Sequence, residues 1–436
     1  MSRSLEDLFD FIDMSRSPFH SVLSACRRLD AAGFLHLEEC SRWDLKLGKC
    51  YYTTRNQSSL IAFRMPEKPI KSWRMSASHS DSPSYRVKMD AEPDKNNSGV
   101  VRLRVEGYGG MIAASWMDRP LTLAGRVLID TGSGINSELL YLDRDLMIIP
   151  SLAIHMDRSV NEQRELNPRR DMQPVFGCDG CHDLKELLAE ELGVSPDKIL
   201  NADLTLCPRQ APVLLGAERE FICSPRLDDL ECAWGTLSGF LSAEPCEDAA
   251  AVWCMFDNEE VGSGTRQGAK GSFLPDVMRR IEAVYGISAD EHCAALAGSL
   301  LLSADNAHAV HPNYQDKADA SAPVKINGGV VLKYNSSQKY TTTALTGALF
   351  TKICNKAGVP VQVFTNRADI PGGSTLGNLL SAQVSVPMAD IGLPQLAMHA
   401  CVETAGAKDP EYLAKACAAF YGSEITCTAD GAYTLR

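Results

Sequence analysis

Apolar residues recur along this chain with two different periods. Leu5, Leu8, Phe9 and Ile12 repeat at helical spacing. Ser17-Pro18 reads as an N-cap followed by proline at the first helical position, and Gly33 closes that second helix. Strand-like runs follow at 59–64 and 73–78. Near residue 90 the texture changes. Asp94-Lys95-Asn96-Asn97-Ser98-Gly99 is a turn signal. Val101, Leu103 and Val105 then alternate with Arg102, Arg104 and Glu106, the pattern of a half-buried antiparallel strand. Further strand-like runs lie at 121–130 and 146–149. One helix among them carries Leu184, Leu187, Leu188 and Leu192 on one face.

After about residue 225 the pattern changes again. Residues 249–256 are continuously apolar, as in a strand buried on both faces. A helix is expected at 273–285 with Pro275 early, a strand at 329–333, a helix at 341–357 closed by Gly358, and a strand at 361–364. Asp409-Pro410 is expected to cap a last helix carrying Leu413, Cys417 and Phe420. Alternating strands and helices predict an α/β class with a mostly parallel sheet. The middle third predicts a β-rich insertion. The expected division is 1–90 and 226–436 for the α/β domain and 91–225 for the insertion.

Composition narrows the partners. The 436 residues are 45% hydrophobic and 22% charged, enough for a packed core. Lys+Arg number 43 against 55 Asp+Glu, a net charge of −12, which argues against a nucleic-acid or anionic-membrane partner. No apolar stretch approaches membrane-spanning length. The opening MSRSLEDLFDFIDM carries acids where a signal peptide would carry an apolar core, so a cytoplasmic location is expected. The 15 cysteines, an odd number mostly flanked by apolar residues, read as buried thiols of a reducing compartment.

Five segments place hard ligands at the ends of apolar runs. His79 and Asp81 lie two apart after a strand, so the imidazole could ligate a metal while the carboxylate takes its other ring N–H. Glu259 and Glu260 follow the doubly buried strand, where α/β sheets bind ligands. Adjacent glutamates can divide labour, one ligating a cation and the other taking a proton from water. Asp228, Asp305 and His399 complete the set. Such N/O ligation suits zinc, and also cobalt or manganese, and a shared aspartate can hold two ions about 3.5–4 Å apart.

These segments resemble one family in its order: HSDSP at 79–83, SPRLDDL at 224–230, DNEEVGS at 257–263, SADNAHAVHPNY at 303–314 and QLAMH at 395–399. WMDRPLTLAGRV at 116–127, IPSLAIHMDRSVN at 149–161 and DIPGGSTLGN at 369–378 join them. The resemblance is to the aspartyl aminopeptidases, the dizinc exopeptidase group that contains vacuolar aminopeptidase I. It spans the chain from Ser17-Pro18-Phe19-His20 to His399. It implies one zinc on His79, Asp228 and Asp305, and a second on Asp228, Glu260 and His399. It implies Glu259 as general base, Asp81 as the partner of His79, and Lys333 and Tyr340 in the substrate wall. It implies that the insertion is a dimerisation domain whose His155 reaches a neighbouring subunit's active site, and that dimers assemble into a tetrahedral dodecamer. Where the family reads MHSIRE, this chain reads Met398-His399-Ala400-Cys401-Val402-Glu403, with Val402 in place of an arginine.

The expected activity is therefore a zinc aminopeptidase acting on peptides with a free N-terminus, with Asp or Glu as the first residue in view. The alternatives are another dizinc exopeptidase or deacylase of the same clan, or a non-catalytic shell or carrier that kept the assembly. Cys178-Asp179-Gly180-Cys181-His182 also matches the CxxCH pattern of haem attachment. Without an export signal or a second CxxC, it reads as a surface loop. His20, His36 and His292 read as structural, and His308 and His311 as loop packing.

Overall fold

The computed structural model describes residues 2–89, 94–95, 97–162, 165–244 and 246–436. Residues 90 and 91, where the change of domain was expected, and Asn96 of the turn signal lie outside the described residues. The chain divides into two compact units, one of residues 1–81, 212–398 and 403–436, the other of 82–211 and 399–402. Among the described residues, no helix is long and apolar enough to cross a membrane.

The first unit is built on a nine-stranded, mostly parallel sheet. Its order is Leu35–His36, Cys50–Arg55, Ser59–Arg64, Ala249–Phe256, Ser72–His79, Leu300–Ala304, Met388–Gly392, Val330–Tyr334, Val361–Thr365. All eight residues of Ala249–Phe256 are buried. Because side chains alternate across a strand, Ala251, Trp253 and Met255 enter one apolar cluster and Ala250, Val252, Cys254 and Phe256 another. The first cluster is closed by helices Arg3–Met14, Pro18–Ala31, Leu227–Ser242, Ala344–Ala357 and Asp409–Tyr421. The second is closed by Phe273–Tyr285, through Phe273, Val277 and Ile281. The unbroken apolar run is thus a strand covered on both faces.

The second unit is antiparallel. Five strands lie in the order Ile135–Tyr141, Leu121–Asp130, Ile199–Pro208, Ser84–Val87, Val105–Tyr108. Three more, Val175–Cys178, Val100–Arg102 and Asp94–Lys95, form a small sheet. Helix Leu184–Leu192 starts with a capping box between Asp183 and Glu186, and Leu187 and Leu188 pack with Leu123, Val127 and Leu204.

Several element boundaries differ from expectation. Val101, Leu103 and Val105 are buried as their alternation requires, but the run splits into two strands of different sheets. Between them Leu103 N–H goes to the Pro174 carbonyl and Val105 N–H to Gln173 Oε1, so the ladder changes partner. Segment 146–149 is no strand; single bridges, Leu121 with Met147 and Ile148 with Val175, tie it down, and the Ile149 carbonyl accepts Asp118 N–H. The helix expected from 341 begins at Ala344, because the Thr343 hydroxyl caps it by accepting Thr346 N–H. At the last helix Asp409 does not cap; its carboxylate accepts N–H groups of Asn327 and Gly329. Six of the cysteines are buried, but Cys40, Cys178, Cys181 and Cys293 are exposed.

Candidate functional site

Three neighbouring parallel strands end at one edge of the main sheet. Phe256 lies opposite His79, and Ser303 opposite Ala77. His79 is therefore the last residue of its strand, Asp305 follows the next, and Glu259-Glu260 sit in the short turn Glu259–Val261 beyond the third. Crevices at such carboxyl ends are where open α/β sheets bind ligands. Asp228 and Asp229 come from the first turn of Leu227–Ser242, where the backbone leaves helical values (φ −80°, ψ 106° and φ −119°, ψ 22°). That departure lets two successive carboxylates enter one cluster. Potential ligand atoms of His79, Asp228, Asp229 and Asp305 lie within 4.8 Å of one another, as do those of His79, Glu259 and Glu260.

His79 Nε2 is 3.3 Å from Asp228 Oδ1. Its Nδ1 lies 3.0 Å from the main-chain carbonyl of Asp81 and 3.4 Å from that residue's carboxylate. The Asp81 carboxylate accepts the N–H groups of Glu259 (3.1 Å) and Glu260 (3.2 Å). Asp81 thus ties the imidazole to the glutamate turn. Asn258 Oδ1 braces that turn by accepting from Thr265 Oγ1 and Gln267 Nε2. Asp229 Oδ2 accepts His79 N–H (3.1 Å), and Glu403 Oε2 accepts Asp228 N–H (3.0 Å).

Burial raises the carboxyls of Asp229, Glu260 and Asp305 above their usual range, and neighbouring carboxylates add to the rise. Burial likewise pushes Glu259 up to about 8, with His79 opposing and Asp305 adding. At His79 burial works against the charged ring, but Asp229, Asp228 and Asp81 outweigh it and hold the imidazole well above its ordinary value. So many buried carboxylates around one imidazole cannot all ionise without added positive charge. A divalent cation with mixed N/O ligands meets that need.

Lys333 is 3% exposed. Its Nζ is 3.8 Å from Asp305 Oδ1, donates to the Asn306 carbonyl at 2.7 Å and lies 5.5 Å from the centre of the Tyr340 ring. Burial disfavours its ammonium, yet Asp305 and Tyr340 hold it above its usual value. Tyr340 is buried and packs edge-on against Phe364. Phe364 lines a cavity of about 340 Å³ with His308, Tyr314, Arg367 and Gln395. In the second unit His155 is exposed in a stretch without regular structure. His399, grouped with that unit, has a left-handed backbone (φ 66°), and its carbonyl accepts Ile112 N–H.

The remaining histidines make local contacts. His20 pairs with Ser17 Oγ and is lowered to about 4 by burial and by Arg226. His36 stacks on Tyr52, His292 pairs with Glu282, His308 packs on Phe364 and His311 on Tyr314. Sequence reasoning gave no role to Asp229, Glu231 or Glu403. Asp229 stands next to an assigned ligand, but adjacency alone cannot say that both carboxylates turn inward. Glu231 lies one helical turn after Asp228, fully buried and taking the Asn306 amide.

The family model described as "Aminopeptidase I zinc metalloprotease (M18)" matches residues 11–421. The chain belongs to the M18 aminopeptidase family. It is 41% identical over 427 residues to a Pseudomonas aeruginosa (strain UCBPP-PA14) protein named "Probable M18 family aminopeptidase 2", covering 96% of this chain and 98% of the relative. It superposes on the protein of "Cryo-EM structure of the Ape4 and Nbr1 complex" with a TM-score of 0.92 at 35% identity, covering 96% of this chain and 85% of that one. It superposes on "Structure of S. cerevesiae mApe1 dodecamer" with a TM-score of 0.84 at 26% identity, covering 95% of each chain. This M18 chain is therefore a metallo-aminopeptidase. Zinc, the metal of the M18 description, fits the buried imidazole-carboxylate cluster.

Proposed function

We propose that this M18 enzyme is a dinuclear zinc aminopeptidase that removes the first residue from peptides with a free amino terminus. The supporting observation is the convergence of His79, Asp228, Asp305 and Glu260 around a second, adjacent glutamate. His79, Asp228 and Asp305 would hold one ion, and Asp228, Glu260 and His399 the other, with His399 assigned from its motif. Two bound zinc ions supply Lewis acidity toward water and the scissile carbonyl. Glu259 takes the proton of the attacking water and passes it to the departing amine. Asp81 holds the main chain of both glutamates and so sets the position of the base. Lys333 is already engaged by Asp305 and Asn306, which favours a role in holding Asp305 over reading an acidic first side chain. The dodecamer named for the mApe1 structure supports a homo-oligomer, in which the exposed His155 would reach a neighbouring active site.

The test is a substrate panel with the first residue varied and the amine free or blocked, run beside metal analysis. Hydrolysis restricted to free amines, with two zinc ions per chain, is expected. Rapid turnover of blocked substrates would move the protein to a deacylase or endopeptidase reading. A single zinc at full activity would remove the dinuclear one.

A further inference from the structure

The CxxC of residues 178–181 takes no part in the aminopeptidase site, yet the fold holds it in a defined shape. Strand Val175–Cys178 pairs with Val100–Arg102, placing Cys178 opposite Val100, and Asp179 N–H extends the contact to the Gly99 carbonyl. The chain then reverses. Cys181 N–H donates to the Cys178 carbonyl at 3.0 Å, closing a β-turn, and Gly180 fills its third place with φ +87°. A residue with a Cβ is disfavoured there, so Asp179-Gly180 is a turn pair suited to bring its flanking cysteines together. Asp183, two residues on, caps the next helix and fixes the exit.

Such a turn holds its first and fourth Cα atoms within about 7 Å. Disulfides span Cα separations of about 4.4–6.8 Å. The Cys181 side chain is folded back over the strand: its Sγ lies 2.6 Å from where a Cβ on Gly177 would stand. A Cβ at residue 177 would meet that sulfur, so the Cys181 side chain would have to turn away. Both thiols are exposed and unpaired to any other cysteine. Among the described residues the pair joins no cluster of three ligands, and His182 is turned to Glu186 at 3.4 Å. The arrangement therefore favours bonding between the sulfurs over metal or haem capture.

We propose that Cys178 and Cys181 form a reversible intramolecular disulfide, a modification site that takes its oxidising equivalents from hydrogen peroxide. One thiolate sulfur attacks the peroxide oxygen, the O–O bond breaks, and a sulfenic acid and water result. The second thiol displaces the sulfenic oxygen, the S–S bond forms, and the oxygen leaves as a second water carrying the remaining thiol proton. Two thiols and one peroxide give one disulfide and two waters. A dithiol reverses the bond by exchange.

Cys40 and Cys293 are exposed thiols without such a neighbour in sequence and serve as internal controls. The full-length protein is treated with graded hydrogen peroxide, quenched with an alkylating agent and mapped by peptide mass. The peptide spanning 178–181 is expected to lose about two hydrogen masses, to resist alkylation and to recover both thiols with dithiothreitol. Over the same range Cys40 and Cys293 stay alkylatable or gain oxygen. In Cys178→Ser, Cys181 should behave like those two controls. The proposal is overturned if Cys178 and Cys181 remain alkylatable at peroxide levels that add oxygen to Cys40 or Cys293. It is also overturned if either pairs with another cysteine or across two chains.

Discussion

Glu259 and Glu260 are neighbours in the chain, and the Asp81 carboxylate takes the main-chain N–H of both. Their side chains therefore start from one rigid turn and differ only in direction. In the proposed mechanism only Glu260 ligates. Glu259→Gln preserves shape and removes proton acceptance, so turnover should fall by about 10² or more with both metals retained. Metal analysis beside the rate measurement checks this; loss of metal would exchange the roles of the two glutamates. Lys333 presents the opposite case, a residue already committed. Because it contacts Asp305 and the Asn306 carbonyl, Lys333→Met should lower kcat/KM for Leu- and Glu-substrates by similar factors and weaken metal retention. A loss confined to Glu-substrates would instead assign Lys333 to reading an acidic side chain.

Helices Leu227–Ser242 and Asp409–Tyr421 cross with little between them. A Cβ on Gly239 would stand 2.4 Å from Cys417 Cβ and 2.7 Å from the Ala414 carbonyl. The helix interior favours alanine over glycine by about 1 kcal/mol. Overpacking against a backbone carbonyl costs more, about 1–3 kcal/mol. Gly239→Ala should therefore destabilise the enzyme despite its better helix propensity, read as a lower urea midpoint or Tm. Equal or higher stability would show that the two helices can part freely. The same helix supplies Asp228 and Asp229 at its first turn, so a shift in its seat should also loosen metal binding in this variant.

At the scale of the whole molecule the expectation concerns copies of the chain. His155 is exposed on the second unit, and the mApe1 relative forms a dodecamer. If His155 completes a neighbour's site, His155→Ala should cut turnover while both zinc ions stay bound. Mixing it with Glu259→Gln protein under exchanging conditions should restore part of the activity, because some sites then join an intact base to a donated histidine. A mixture as inactive as its components, or a fully active monomer by light scattering, would confine His155 to its own chain.

The amino-acid pattern by itself determined the strands at 59–64, 121–130 and 249–256 and the helix at 273–285, because each carries its period or its unbroken apolar run within one segment. It also determined the candidate ligands, since five separated motifs keep the family's order. Only the tertiary structure decided what depends on partners far along the chain. The alternation at 101–105 sets which side chains are buried, but not that Gln173 and Pro174 take the hydrogen bonds where the strand breaks. The pair Asp228-Asp229 announces carboxylates, but not that a non-helical turn sends both inward while Glu403 holds the first by its N–H. Lys333 looks like a cation awaiting a substrate until the sheet, with one strand between the two, brings Asp305 to its ammonium. Periodicity encodes which face of an element meets the core. Which groups share a buried charge is set by the register of strands that lie hundreds of residues apart.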